Sequence, residues 1–199
     1  MSEQQVDSGK RTWLITSACA GAVGGVAVAI PFVSSFQPSE RALAAGASVE
    51  VDISALRPGE KLTVEWRGKP VWIVKRTPEQ LAALPKVDAL LADPTSARKP
   101  DELTPGYARN EHRSIKPEIL VAVGICSHLG CSPSDKFVPG AQPSLPDDWA
   151  GGFFCPCHGS TFDMAGRVYK NKPAPDNLEV PPHMYLSDTR LIIGEDKKA

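Results

Sequence analysis

The chain has 199 residues, with 22 Lys+Arg against 23 Asp+Glu and a formal net charge of −1. That length fits one ordinary domain plus an appendage, not two full domains, and the balanced charge excludes the basic footprint of a nucleic-acid binder. Hydrophobic residues make up 42% of the chain, enough for a folded core and too many for wholesale disorder.

Residues 1–11 end in the basic pair Lys10-Arg11, and residues 12–39 then carry no charge at all. From Trp13 to Phe36 the composition is mostly Ala, Val, Gly, Ile and Leu. About 20 such residues cross a hydrocarbon core of about 30 Å, so residues 12–36 read as a transmembrane anchor. Trp13 stands where an interfacial aromatic would, and the basic flank puts the N-terminus in the cytoplasm and the rest across the membrane. The competing reading is a cleaved signal, for which Ala42 to Ala47 would offer small residues. Lys10-Arg11 before an apolar run is a weak variant of a twin-arginine export signal, with an ordinary basic flank as the alternative. Gly21 and Gly25 have the GxxxG spacing that lets helices approach closely. Cys19 reads as a small buried apolar residue.

Residues 37–48 offer no large apolar set beyond Leu43 and read as a flexible tether, with some helix through Glu40 to Ala45. The texture then turns to β. Val49, Val51 and Ile53 alternate with polar residues, Arg57-Pro58-Gly59-Glu60 is a turn, and Leu62–Trp66 and Val71–Val74 read as strands. Thr77 with Pro78 marks a helix start, ending near Pro85. Residues 86–114 read as loop, with a short helix around Val87 to Leu91. A strand from Glu118 to Ile125 leads into a first cysteine segment, Phe153-Phe154 leads into a second, and Leu186 to Ile193 supplies a closing strand. The expected fold is mainly β: one N-terminal helix and a small antiparallel β domain over residues 49–199, with an inserted subdomain at about 124–178.

The chemistry lies in Cys126-Ser127-His128-Leu129-Gly130-Cys131 and Cys155-Pro156-Cys157-His158-Gly159-Ser160. Three readings compete. A zinc site takes four ligands in a closed tetrahedron, and six candidates are too many for one. A purely disulfide framework suits an exported domain but leaves His128 and His158 unexplained at matching places. The third takes one Cys and one His from each segment as ligands of a 2Fe–2S cluster and joins the leftover cysteines, which uses all six. His112 and His183 lack ligand spacing and read as surface or structural histidines.

The two boxes resemble those of the Rieske iron–sulfur protein of ubiquinol–cytochrome c reductase, the cytochrome bc complex of bacteria, and the resemblance runs on through Pro173-Ala174-Pro175 and Asn177-Leu178. It implies Cys126, His128, Cys155 and His158 as cluster ligands and Cys131–Cys157 as a disulfide. It implies Pro173, Ala174 and Pro175 as a cover over the cluster and Leu129 as an exposed docking residue. Ser160 would donate a hydrogen bond to a cluster sulfide, against the plainer reading of a turn-capping hydroxyl. His158 and His128 would meet quinol. The implied partners are cytochrome b, a membrane-anchored c-type cytochrome, quinol and the lipid bilayer, in a dimeric complex whose Rieske domain is periplasmic. A soluble Rieske carrier feeding an oxygenase, or the Rieske subunit of an arsenite-oxidase-like enzyme, are the alternatives.

The physics agrees with such a centre. Two ferric ions, two sulfides and two thiolates cancel to zero formal charge, whereas four thiolates would leave a dianion, so histidine ligation raises the potential. Two departures from the family pattern stand out. Phe162 occupies a position where high-potential relatives often carry tyrosine, and Lys172 one where many carry glycine. The 132–154 insertion, punctuated by Pro133, Pro139, Pro143 and Pro146, reads as a peripheral structural loop.

Overall fold

The structure, a computed structural model, describes residues 7–40, 46–99 and 101–196. The expectations for residues 1–6 and for 41–45 of the tether, with the helix extending to Ala45, lie outside them. The chain divides into two compact units, Met1–Ala44 and Ala45–Ala199.

In the first unit, helix α1 runs Ser8–Ser34. Its start precedes the uncharged stretch because Asp7 caps it: the carboxylate accepts from the amides of Gly9 at 3.0 Å and Lys10 at 3.2 Å, filling donors that a helix start leaves open. At its other end the Ser35 amide donates to the Pro31 and Phe32 carbonyls. The 27 residues span about 40 Å, ample for a bilayer core. Trp13, Leu14, Val23, Ile30 and Phe32 are all exposed, as expected of a helix whose solvent is hydrocarbon. Cys19 is exposed as well, not buried as the sequence suggested, since a lone helix encloses nothing.

Among the described residues the second unit holds nine strands: β1 Val49–Asp52, β2 Lys61–Trp66, β3 Lys69–Lys75, β4 Ile119–Val123, β5 Ser134–Lys136, β6 Gly152–Cys155, β7 Ser160–Asp163, β8 His183–Tyr185 and β9 Arg190–Ile193. They form three antiparallel sheets, ordered β1-β9-β8, β2-β3-β4 and β5-β6-β7. Strands β3 and β4 of the middle sheet are buried on both faces. Strand side chains alternate between faces, so Val71, Ile73, Ile119, Val121 and Val123 enter one core with Val51, Ile53, Leu191 and Ile193 of the first sheet. Trp72, Val74, Leu120 and Ala122 enter the other, with Phe153, Phe162, Met164, Val168 and Leu178. Two buried faces explain why β4 reads Ile-Leu-Val-Ala-Val without polar interruption.

Short helix α2, Pro78–Ala83, follows β3. Thr77 Oγ1 accepts from the Gln80 amide and the Gln80 side-chain oxygen accepts from the Thr77 amide, at 3.3 and 2.9 Å, a capping box. A 3-10 segment, Leu84–Leu90, continues it, where the sequence suggested a helix around Val87 to Leu91. The expected closing strand at Leu186 to Ile193 is shorter: Leu186 to Thr189 form the turn of the β8–β9 hairpin. The 132–154 insertion is tied down at both ends. β5 pairs with β6, and Trp149, 3% exposed, donates its indole N–H to the Lys136 carbonyl at 2.8 Å.

Candidate metal centre

The two boxes form adjoining loops at one end of the second unit. The first leaves β4 through Gly124, where an added Cβ would overlap the Trp72 indole; only glycine lets the chain pass this close. The loop then closes on itself, with the Cys126 amide donating to the Cys131 carbonyl at 2.8 Å and the Gly130 amide to the Cys126 carbonyl at 3.1 Å. The second box is the β6–β7 hairpin turn, in which Cys155 faces Ser160 across the ladder and the Gly159 amide donates to the Cys155 carbonyl at 3.0 Å. Cys131 and Cys157 are joined as a disulfide across the loops.

Of the remaining site residues, Cys126 and Cys155 are free thiols, each 2% exposed. The His128 and His158 rings meet edge to face, with centroids 4.7 Å apart, and His158 is exposed while His128 is half-buried. Burial pushes the Cys126 thiol up, a hydrogen bond from the His128 backbone pulls it part of the way back, and the adjacent Cys155 thiol raises it further. Such a thiol is a poor free nucleophile and becomes a thiolate when a metal replaces its proton. The sulfurs of Cys131, Cys155 and Cys157 also lie within 4.8 Å of one another, but two of these are consumed by the disulfide. The donor set left over is two buried thiols and two imidazoles at a shared tip. It fits a cluster with two thiolates on one iron and two imidazoles on the other. Structural zinc sites are closed, and an exposed imidazole at a loop tip does not suit one.

Of the residues expected to cover the cluster, Ala174 is buried and Pro173 and Pro175 are exposed. The Ala174 amide donates to Ser160 Oγ at 3.0 Å. Ser160 is 0% exposed, and a hydrogen bond from its hydroxyl favours the Cys126 thiolate. The hydroxyl accepts from Ala174 and keeps its own proton free to donate. Leu129 is 72% exposed at the tip. Phe162 is 0% exposed and packs in the core that holds Cys126 and Cys155. Lys172 needs no glycine, because the left-handed position falls one residue earlier, at Asn171 with φ 57°.

The sequence reading missed the polar groups that hold this subdomain. Arg113, 0% exposed, donates to the carbonyls of Ala165, Gly166 and Leu178 and to Thr104 Oγ1, at 2.6–3.2 Å. Arg76 donates to the carbonyls of His112, Met164 and Pro117 and to Ser114 Oγ. Arg167 pairs with Asp163 at 2.8 Å, both buried. Burial lowers Arg76 and Arg113 to about 10, so both remain cationic at neutral pH. Ser127, inside the first box, donates to the Asp176 carbonyl at 2.6 Å. His183 is buried at 1% exposure and is structural; His112 is half-buried beside Glu111.

The chain is similar to known proteins over nearly its whole length. A model of the Rieske [2Fe-2S] domain matches residues 107–182. A second, described as Ubiquitinol-cytochrome C reductase Fe-S subunit TAT signal, matches residues 2–39. The ubiquinol-cytochrome c reductase iron-sulfur subunit of Allochromatium vinosum is 56% identical over 199 residues, covering 99% of this chain and 94% of that protein. The subunit of the same name from Bradyrhizobium diazoefficiens is 41% identical, covering 90% of each. A chain of a solved hyperthermophilic respiratory Complex III is 27% identical, with a TM-score of 0.44, over 89% of this chain and 97% of that one.

Proposed function

The chain belongs to the iron-sulfur subunits of ubiquinol-cytochrome c reductase, and from that premise we propose how its residues serve the electron transfer of the complex. Its cofactor is one Rieske-type 2Fe–2S cluster. The observation that carries the residue assignment is the donor set itself: Cys126, Cys155, His128 and His158 at one tip, with the other two cysteines bonded to each other. These four are the ligands. When bound, the cluster supplies a one-electron acceptor that is formally neutral before reduction, which favours reduction over that of an all-thiolate centre.

The chain's own residues do the rest. His158, exposed at the tip, presents its outer ring nitrogen to quinol and takes up the proton that leaves with the electron. With an oxidised cluster bound, its positive charge would lower the pKa of this imidazole and so ease release of the proton. Ser160 directs its hydroxyl proton at sulfur and so favours the more negative, reduced state. Pro173, Ala174 and Pro175 shield the site, and the disulfide keeps the two loops together. Leu129 is the apolar contact that seats the tip on its partners, cytochrome b on the quinol side and a membrane-bound c-type cytochrome on the delivery side. The complex is dimeric.

Helix α1 anchors the chain in the bacterial inner membrane, with the N-terminus cytoplasmic and the Rieske domain periplasmic. The Lys10-Arg11 flank and the match of residues 2–39 to a TAT-signal family support that orientation. The test is to purify the complex from native membranes. Co-elution of b- and c-type haem, with a reduced 2Fe–2S electron paramagnetic resonance signal, is expected. A molybdenum protein without haem b would point to the arsenite-oxidase-like reading.

A further inference from the structure

The cover has an anchoring problem of its own. In Pro173-Ala174-Pro175 only Ala174 has a backbone N–H, and that one is engaged by Ser160 Oγ. Everything else that holds the cover closed must come as donors from outside, or through its carbonyls.

A loop outside both boxes supplies them. Residues 93–99 read Asp-Pro-Thr-Ser-Ala-Arg-Lys. Asp93, 6% exposed, winds the loop by accepting from the Ala97 amide at 2.8 Å and the Arg98 amide at 3.1 Å. Ser96 and Lys99 both sit at left-handed φ, 52° and 45°, a conformation that costs a non-glycine residue free energy. The Asn177 side chain pins the loop from behind, donating to the Asp93 carbonyl at 2.9 Å and to Ser96 Oγ at 3.2 Å. The product of this winding is two cations aimed at the cover. Arg98 Nη1 donates to the Pro175 carbonyl at 2.7 Å. Lys99 Nζ meets the Asp176 carboxylate at 2.7 Å. Asp176 is in turn fastened to the first box, its amide donating to Ser127 Oγ at 3.3 Å.

We propose that residues 93–99 are a clamp, with Arg98 and Lys99 as positioning residues that hold Pro175 and Asp176 closed over the cluster site. This rests on the reading of residues 173–175 as the cluster's cover. Opening the clamp lets Ala174 leave Ser160, frees the hydroxyl to turn away from sulfur, and admits water and chelators. Removing the two positive charges also makes an added electron less favourable.

Arg98 and Lys99 are both exposed, so their replacement leaves the core intact. In the purified complex, the double variant Arg98→Gln with Lys99→Met should bleach its cluster faster in a chelator. Each lost contact should contribute up to about fivefold, the scale of an exposed ion pair or hydrogen bond. Deuterium exchange at the Ala174 and Asp176 amides should accelerate in parallel, and the reduction potential should fall. Arg98→Lys, which keeps a donor, should recover most of the protection. Raising the salt concentration should speed bleaching of the parent protein but not of Lys99→Met. Lys172→Gln, next to the cover but without a hydrogen bond or ion pair, should match the parent in bleaching and exchange. Unchanged bleaching and exchange in the double variant would overturn the clamp. A parent complex without a 2Fe–2S resonance would overturn the cofactor reading beneath it.

Discussion

Ser160 and Phe162 stand two apart on β7, on the face they share with Cys155 and Phe153 of β6. One carries a hydroxyl next to the thiols and the other a bare ring. A charge-assisted hydrogen bond is worth roughly 1.5–3 kcal/mol, and one electron converts about 1.36 kcal/mol into about 59 mV. Only part of that energy differs between the redox states, so Phe162→Tyr, with its hydroxyl donating to a ligand sulfur, should raise the potential by some tens of millivolts. Redox titration is the check, and an unchanged potential would sink the idea. Tyrosine without a partner in this buried place would instead cost stability. His183 gives a pH prediction at the same scale. Burial depresses its pKa, with the Pro181 carbonyl and Asp196 opposing the shift. The unfolded chain takes a proton near pH ~6.5, while the folded chain does so only at lower pH. Between the two, the unfolded state holds more protons, so stability rises with pH and is complete above the unfolded value. Denaturant midpoints should fall as pH drops below about 6.5, and His183→Gln should flatten that slope; an identical slope in the variant rules out His183 as its source.

At the scale of elements, the cluster subdomain is a set of loops with little ladder of its own, closed by a few cross-links. The Cys131–Cys157 bond is one. Cys131→Ser should let the two boxes separate, giving a labile cluster and a shifted potential. A stable cluster at the parent potential would show that the bond is dispensable. Arg113 is another. Arg113→Met would take the guanidinium donor from the carbonyls of Ala165 and Leu178, and a buried acceptor left unpaired costs about 1–3 kcal/mol. A denaturant midpoint within error of the parent would contradict that. These two cross-links also mark what the sequence made legible. The boxes could be read because ligand chemistry demands fixed residue types at short spacing. Thr77 and Pro78 could be read because helix caps are local. Arg113, Arg76 and Arg167 could not. They lie in or next to polar, proline-punctuated segments with no periodicity, and they become core only because distant loops converge on their guanidinium forks. Strands β5, β7 and β8 are three or four residues long, too short for alternation to register.

The whole molecule joins a helix suited to lipid and a water-soluble redox head, and the two tasks differ in the freedom they require. Quinol is lipid-soluble, so anchoring the head near the bilayer raises its effective concentration at the donor site, as any tether does. In the proposed function the acceptor is a second protein, and a head fixed beside the quinol would have to reach it as well. The proposed resolution is motion of the head on residues 37–48, a segment whose large apolar residues do not extend beyond Leu43. The surface chemistry suits repeated, reversible docking. The net charge is −1, so no global field commits the head to one side, and the proposed contact is the small tip carrying Leu129 and His158, both exposed. Replacing Ala42 to Ala47 by prolines would convert the segment into a stiff spacer of about 3.1 Å per residue. The cluster resonance and potential should stay at parent values, because no residue of the two cysteine loops or of residues 173–175 is altered. Quinol–cytochrome c turnover should fall severalfold, with reduction by quinol or delivery to the cytochrome becoming limiting according to where the stiff segment parks the head. Stopped-flow traces of the two half-reactions would separate those cases. Parent-level turnover in the proline variant would mean that the head need not move.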